Sequence, residues 1–256
     1  MYKARTSDPM ARTKPSPRSR QLATWQRFQV SRDVDWAQQK TDLTTALQPV
    51  LKEVPGCTAV HLGRLTTDPD HCAFIIFWES EETMDAFYAS SVYADLSVHS
   101  WSNQYPCFSL KEVGYGFMRK FLGLVALTSV VPSPSVSDSS EFENVIKAAF
   151  EGWSPAGCEF RGGGLRRYLS STWARSKSVD KVESVATATQ DAVGQGSYYH
   201  IFCWTGNGGS LENTAAAARD PAAFTSWATA IAKAGESIES WDQELWEIER
   251  LFWCNI

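Results

Sequence analysis

The sequence lacks most of the short signatures that announce a function outright. It has no C-x-x-C pair; its six cysteines stand far apart at 57, 72, 107, 158, 203 and 254. Zinc sites and redox dithiols draw on closely spaced thiols, so neither has support. Histidine is scarce too: His61, His71, His99 and His200 are the four, too dispersed for a recognisable metal triad. No apolar run is long enough to cross a bilayer, the longest being Phe121–Val131. The N-terminus has bases but no apolar core of a secretory signal, and Pro9, Pro15 and Pro17 spoil a presequence helix. Positive charge is also short. The formal net charge is −5, and residues 1–20 hold six of the 24 bases against Asp8 alone. Residues 21–256 are left with 18 bases and 28 acids, a net −10. A body that acidic repels a phosphate backbone, so nucleic acid is excluded as a partner class. The composition predicts a cytoplasmic protein without membrane association, carrying a disordered basic tail over residues 1–22.

What the chain has in quantity is aromatic surface: eleven tryptophans, thirteen phenylalanines and eight tyrosines among 256 residues. With 43% hydrophobic and 21% charged residues it reads as globular, with material for a large core or an aromatic-lined cavity. The apolar period changes in an orderly way. Residues 24–30 alternate as a strand, and from Trp36 the apolar positions 36, 43, 47, 50, 51 and 54 take helical spacing, with a kink expected at Pro49. Pro55-Gly56 stops that helix. Strands follow over 58–65 and 72–78, joined by the turn Asp68-Pro69-Asp70. Ser80 is a natural N-cap with Glu81 and Glu82 behind it, and Met84, Phe87 and Tyr88 form the buried stripe of the second helix. A last strand covers 107–115.

The second half repeats this β-α-β-β-α-β order. Residues 122–131 read as a strand, and Asp138 with Glu141 as a capping box. An apolar stripe then runs from Phe142 to Trp153. Residues 198–204 correspond to 72–78, both ending on tryptophan; a helical region over 211–234 breaks at Asp220-Pro221, and 244–253 closes the set. The expected fold class is α+β: two tandem ferredoxin-like units pairing into a barrel within one chain, residues 23–117 and 118–256, joined near 116–120. The second unit carries a long polar insertion at 170–196.

Val54-Pro55-Gly56-Cys57, then Trp78-Glu79-Ser80, then Ala89-Ser90-Ser91-Val92-Tyr93 resemble, in that order, the antibiotic-biosynthesis-monooxygenase-like dimeric α/β-barrel superfamily, and its fungal-type tandem members in particular. The resemblance covers residues 24–117 well and 121–253 in outline. It implies a pseudo-dimer within one chain, small apolar or aromatic substrates such as polyketides and quinols, and chemistry without a bound cofactor. Polyketide cyclases of the superfamily use a histidine and a tyrosine at or near the second helix. The matching positions here are Tyr93 and Phe87, and the second copy has Ala223 near the histidine position, so that dyad is absent.

Candidate chemistry falls on alternating strand residues. Tyr198, His200, Phe202 and Trp204 share one face, matched in the first half by Cys72, Phe74, Ile76 and Trp78. Histidine is the side chain whose ordinary pKa suits proton transfer, so His200 leads as a catalytic candidate, with Tyr198 beside it and His61 next. Trp204, Phe202, Trp78, Phe74, Tyr93, Phe87 and Arg64 are the expected substrate contacts. Glu244, Glu247 and Glu249 read as a solvated edge strand. His71 is expected in solvent and His99 near a rim. Gly206–Gly209 and Gly162–Gly164 with Arg166-Arg167 lack phosphate-loop spacing and read as turns. The expected activity is a cofactor-independent cyclisation, isomerisation or related rearrangement of a polyketide-like metabolite. The alternatives are cofactor-free monooxygenation of a quinol or anthrone, and a non-catalytic ligand-binding pseudo-dimer. Further self-association of a monomer stays open.

Overall fold

The computed structural model describes residues 21–30, 35–100, 107–113, 121–136, 139–151, 153, 155, 170–178, 198–204 and 216–254. Alternation at the start of this range makes β1, Gln21–Gln29, two residues of which (Gln21 and Leu22) had been assigned to the basic tail. Helix α1, Trp36–Leu51, is opened by Asp35, whose carboxylate accepts from the Ala37 N–H at 3.0 Å. Pro49 falls in its last turn, where its missing N–H and ring disturb the helix least, and Leu47 and Leu51 are buried against the sheet.

The Pro55-Gly56 stop turns the chain into β2, Cys57–Leu65, followed by β3, His71–Trp78. Ser80 caps α2, Glu81–Tyr88, accepting from the Thr83 N–H at 3.3 Å. Helix α3, Ser91–Ser100, and β4, Cys107–Val113, complete the first half. The second half runs β5, Gly123–Pro132; α4, Ser139–Ala149; β6, Ser170–Ser178; β7, Tyr198–Cys203; α5, Pro221–Ala232; and β8, Ile238–Trp253. The expected break before α5 is real: Asp220 is its N-cap and Pro221 occupies the first turn. Ser170–Ser178, expected at the head of a polar insertion, is instead a strand, because barrel closure needs a partner between β7 and β4. The remainder of that stretch, the join at 116–120, Asp138 and both glycine clusters lie outside the described residues.

Eight antiparallel strands close a barrel in the order β1-β3-β2-β8-β5-β7-β6-β4. Within it the first half contributes β4-β1-β3-β2 and the second β8-β5-β7-β6, the same order of first to fourth strand. Two contacts close the ring, β2 with β8 and β4 with β6. At 16 residues β8 is the longest described strand, pairing with β5 over 238–248 and with β2 over 246–253. It is therefore no edge strand. Its glutamates have basic partners: Glu244 with Arg27 at 2.7 Å, Glu249 with Lys40 at 3.0 Å and Glu247 with Arg219 at 3.9 Å.

Strand alternation sorts the core in two. Trp25, Ala59, Ala73, Ile75, Phe77, Val125, Leu127, Ile201, Trp246 and Ile248 fill the barrel, with Phe121 beside them. The opposite faces pack under α1 and α2 in the first half, and under α4 and α5 in the second. Small residues inside leave room for large ones: a Cβ on Gly63 would sit 3.2 Å from the Trp246 ring.

Gly56 has φ +75°, and a Cβ there would collide with the Thr83 side chain. Gly235, at φ +58°, has open space around the same position. Gly235→Ala should cost about 1 kcal/mol through backbone strain alone, and Gly56→Ala about 2 kcal/mol or more, as read from urea midpoints. Equal losses would show that the α1–β2 turn does not depend on the close approach to α2.

Candidate functional site

Two helix-covered faces hold most of the candidate residues, one in each half. In the first, the Trp78 indole donates to Thr24 Oγ1 at 3.0 Å, and its ring lies 5.1 Å from Phe87. Phe87 in turn meets the Tyr93 ring at 5.6 Å, and Gln26 Nε2 donates to the Tyr93 hydroxyl at 3.3 Å. Phe74 stacks on Phe28 at 4.6 Å and is wholly buried. Arg64 serves the strand end: it donates to the Pro69 carbonyl at 2.7 Å and lies over the Trp36 ring. A cavity of about 370 Å³ opens between the end of α1 and the α2–α3 corner. Buried Phe87 is its floor, Val50, Val54, Pro55, Ala86 and Val92 are its apolar walls, and exposed Glu53 and Glu82 stand at the rim.

The second face is more completely filled. Tyr198, His200, Phe202 and Trp204 point under the helices as the alternation predicts, while Tyr199, Ile201 and Cys203 point into the barrel. His200 is packed by Phe150 at 4.8 Å and Trp153 at 5.4 Å, and the Trp227 indole donates to its Nδ1 at 3.3 Å. That bond assigns the ring proton to Nε2. Burial lowers the His200 pKa to about 3, so the imidazole is neutral near pH 7. A neutral ring whose Nδ1 already accepts is a hydrogen-bond donor and packing element, not the general base expected of it. Tyr198 packs on Phe142 at 4.8 Å, in a separate cluster. Trp204 borders a second cavity, about 340 Å³, with Ala126, Ala218, Gln243 and Leu245 among its walls.

His61 joins neither face. It points into the barrel, fully buried, 5.2 Å from Phe77 and 5.8 Å from Phe121, and neither ring nitrogen has a hydrogen-bond partner. Burial, reinforced by the nearby Arg250 charge, lowers its pKa to about 3. Sequence reasoning missed the polar group that shares this interior: Arg27 forks onto Glu244 through two 2.7 Å bonds, and the Trp246 indole donates to the same carboxylate at 3.0 Å. The alternation Trp25, Arg27 and Glu244, Trp246 carried the signal, but nothing in sequence pairs strands 217 residues apart. His71 bridges to Asp68 at 2.8 Å, and the His99 side chain lies outside the described residues. Among the described residues no cluster of three or more histidine, cysteine or acidic side chains could hold a metal ion, and no helix is long and apolar enough to cross a membrane.

Both buried histidines bind a proton less readily folded than unfolded, where the ordinary value is 6.5. Below that pH the unfolded chain takes up protons that the folded chain refuses. Stability is therefore complete above pH 6.5 and falls toward pH 3, by up to about 1.4 kcal/mol per pH unit for each histidine. His61→Leu should remove one histidine's share of that slope in urea titrations between pH 7 and 5. It should leave stability at pH 7 unchanged or higher, since no partner is orphaned. An unaltered slope would place the proton-linked loss elsewhere.

Residues 26–97 match the family model for antibiotic biosynthesis monooxygenase. No curated protein matches the chain in sequence. Among solved structures, the chlorite dismutase from Candidatus Nitrospira defluvii in complex with imidazole is similar at 8% identity and a TM-score of 0.50, covering 91% of this chain and 92% of that one. A putative monooxygenase from Lactobacillus acidophilus aligns at 10% identity and a TM-score of 0.48, covering 92% and 96%. An anthrone oxidase-like protein aligns at 10% identity and a TM-score of 0.45, covering 91% and 94%. The dismutase likeness, at that identity, is one of fold alone. Residues 26–97 of this chain are an antibiotic-biosynthesis-monooxygenase domain built on the dimeric α/β-barrel fold.

Proposed function

We propose that the chain is a small-molecule enzyme of the oxygenase type, acting on a flat, neutral, largely apolar molecule such as a quinol or anthrone. The carrying observation is that the open apolar cavity over Phe87, lined by residues 50–92, falls wholly inside the matched segment 26–97. Apolar walls favour a flat hydrocarbon body, and the Glu53 and Glu82 rim disfavours an anionic one. The repeated strand order further supports reading the two halves as an internal pseudo-dimer of ferredoxin-like units, with one of the two helix-covered spaces kept open.

The chemistry suits a site poor in acid–base groups. An anthrone supplies its own electrons: its methylene carbon loses two C–H bonds, one atom of dioxygen becomes the new carbonyl oxygen, and the other leaves as water. What the protein supplies is a dry, shaped cavity that holds the enol tautomer against Phe87. Cyclisation or isomerisation, the other reading of the sequence, asks for a placed acid–base pair. His200 and Tyr198 are packed under the helices of the other half, which supports a positioning role for them, as does the closed burial of His61 for that residue.

Oxygen uptake tests the reading. With 1,8-dihydroxyanthrone, one dioxygen should be consumed per anthraquinone formed. Ala86→Trp, which fills the cavity, should lower the rate at least tenfold, while His200→Gln, if folded, should stay within about threefold of the unaltered chain. Turnover of a polyketide-like chain without oxygen would establish cyclisation instead, and tight binding without conversion would leave a ligand carrier.

A further inference from the structure

The scattered spacing of the cysteines hides a pair. Cys57 opens β2 and Cys254 follows directly on β8, 197 residues away, yet their sulfurs lie 2.9 Å apart. Both are buried, and the backbone beside them is held in register, the Cys254 N–H donating to the Thr58 carbonyl at 3.0 Å. β2 belongs to the first half and β8 to the second, so this contact sits on one of the two seams that close the barrel. Cys203 lies inside the barrel, and Cys72 sits farther along β3 and contacts only the Pro69 carbonyl through its sulfur.

We propose that Cys57 and Cys254 form a cystine when the protein meets a peroxide, joining the two halves covalently across the β2–β8 seam. A disulfide bond is about 2.05 Å long, so the sulfurs have roughly 0.9 Å to travel, within reach of small side-chain rotations. The hydrogen bond from Cys57, with the Lys52 charge behind it, lowers the Cys254 pKa. The same contact and burial push the Cys57 thiol up. Cys254 is then the nucleophile. Its thiolate attacks hydrogen peroxide, the O–O bond breaks, and a sulfenic acid and hydroxide result. Cys57 attacks that sulfur; the S–S bond forms, the S–O bond breaks, and the oxygen leaves as water with the Cys57 proton. The proton first shed by Cys254 neutralises the hydroxide. Two thiols have given up two electrons, and one peroxide has become two waters.

The test uses the full chain, reduced and then treated with stoichiometric hydrogen peroxide. Free thiols are alkylated and the protein is digested without reduction. A peptide linking Cys57 to Cys254 is expected, with an intact mass lower by 2 Da. The melting temperature should rise by about 5 °C or more over the same protein kept in reductant. Cys254→Ser should lose the linked peptide and Cys72→Ser should keep it. Comparing oxidised with reduced unaltered protein keeps the result readable even if a variant does not fold. Recovery of Cys57 and Cys254 both alkylated would overturn the proposal, as would Cys254 as a sulfinic acid beside alkylated Cys57, or a link to any other cysteine.

Discussion

Backbone pairing across two seams is the constraint on which the rest of the molecule depends. A four-stranded sheet in the order β4-β1-β3-β2 ends in two strands whose outward N–H and C=O groups need partners. The second half has the same need, and the ring is the arrangement in which β2 meets β8 and β4 meets β6. Closure then creates the interior that Trp25, Phe77, Phe121 and Trp246 fill. The Arg27–Glu244 fork spans that interior from β1 to β8, but both side chains remain about a fifth to a quarter exposed. Its contribution is modest beside the apolar packing, and it serves chiefly to specify how the strands face one another.

With the interior packed solid, room for a small molecule falls to the outer faces, where helices rest on sheet. The two halves use that space differently. Between α1 and α2–α3 the side chains are short or turned away, and a cavity remains above Phe87. Under α4 and α5, Phe150, Trp153 and Trp227 crowd around His200 and occupy much of the equivalent space. The same strand order therefore supports one open face and one aromatic plug. A histidine sealed in that plug loses its charge, which removes the property that made it attractive as a base.

Much of the architecture was legible because its signals are local. Ser80 as a cap, the Pro55-Gly56 stop, the Asp220-Pro221 break and the alternation of Tyr198 to Trp204 are each decided within a few residues. Ser170–Ser178 was misread because its serine-rich, polar composition resembles a loop, and it is a strand only because neighbours on both sides need one. The acidic β8 was misread for the same reason: glutamates suggest solvent, and their partners Arg27, Lys40 and Arg219 lie far off in the chain. Of the candidate contacts, Phe87 and Trp204 border cavities, whereas Phe74, Trp78 and Arg64 are committed to packing or to strand ends. Alternation tells which face a residue takes; it does not tell whether that face is full.

The length of β8 has a further consequence for how this sequence can change. Over residues 246–248 one strand is registered with both neighbours, β5 on one side and β2 on the other. Inserting or deleting a single residue there would rotate everything beyond it by half a turn of the pleat, on both seams together. Glu244 or Arg250 would exchange the barrel interior for its surface, and the apolar sets beneath the two groups of helices would lose their alignment at once. Substitutions can be absorbed one at a time along this strand. Changes of length cannot, so variation in length should collect in the connections between elements and leave the middle of β8 invariant in its spacing.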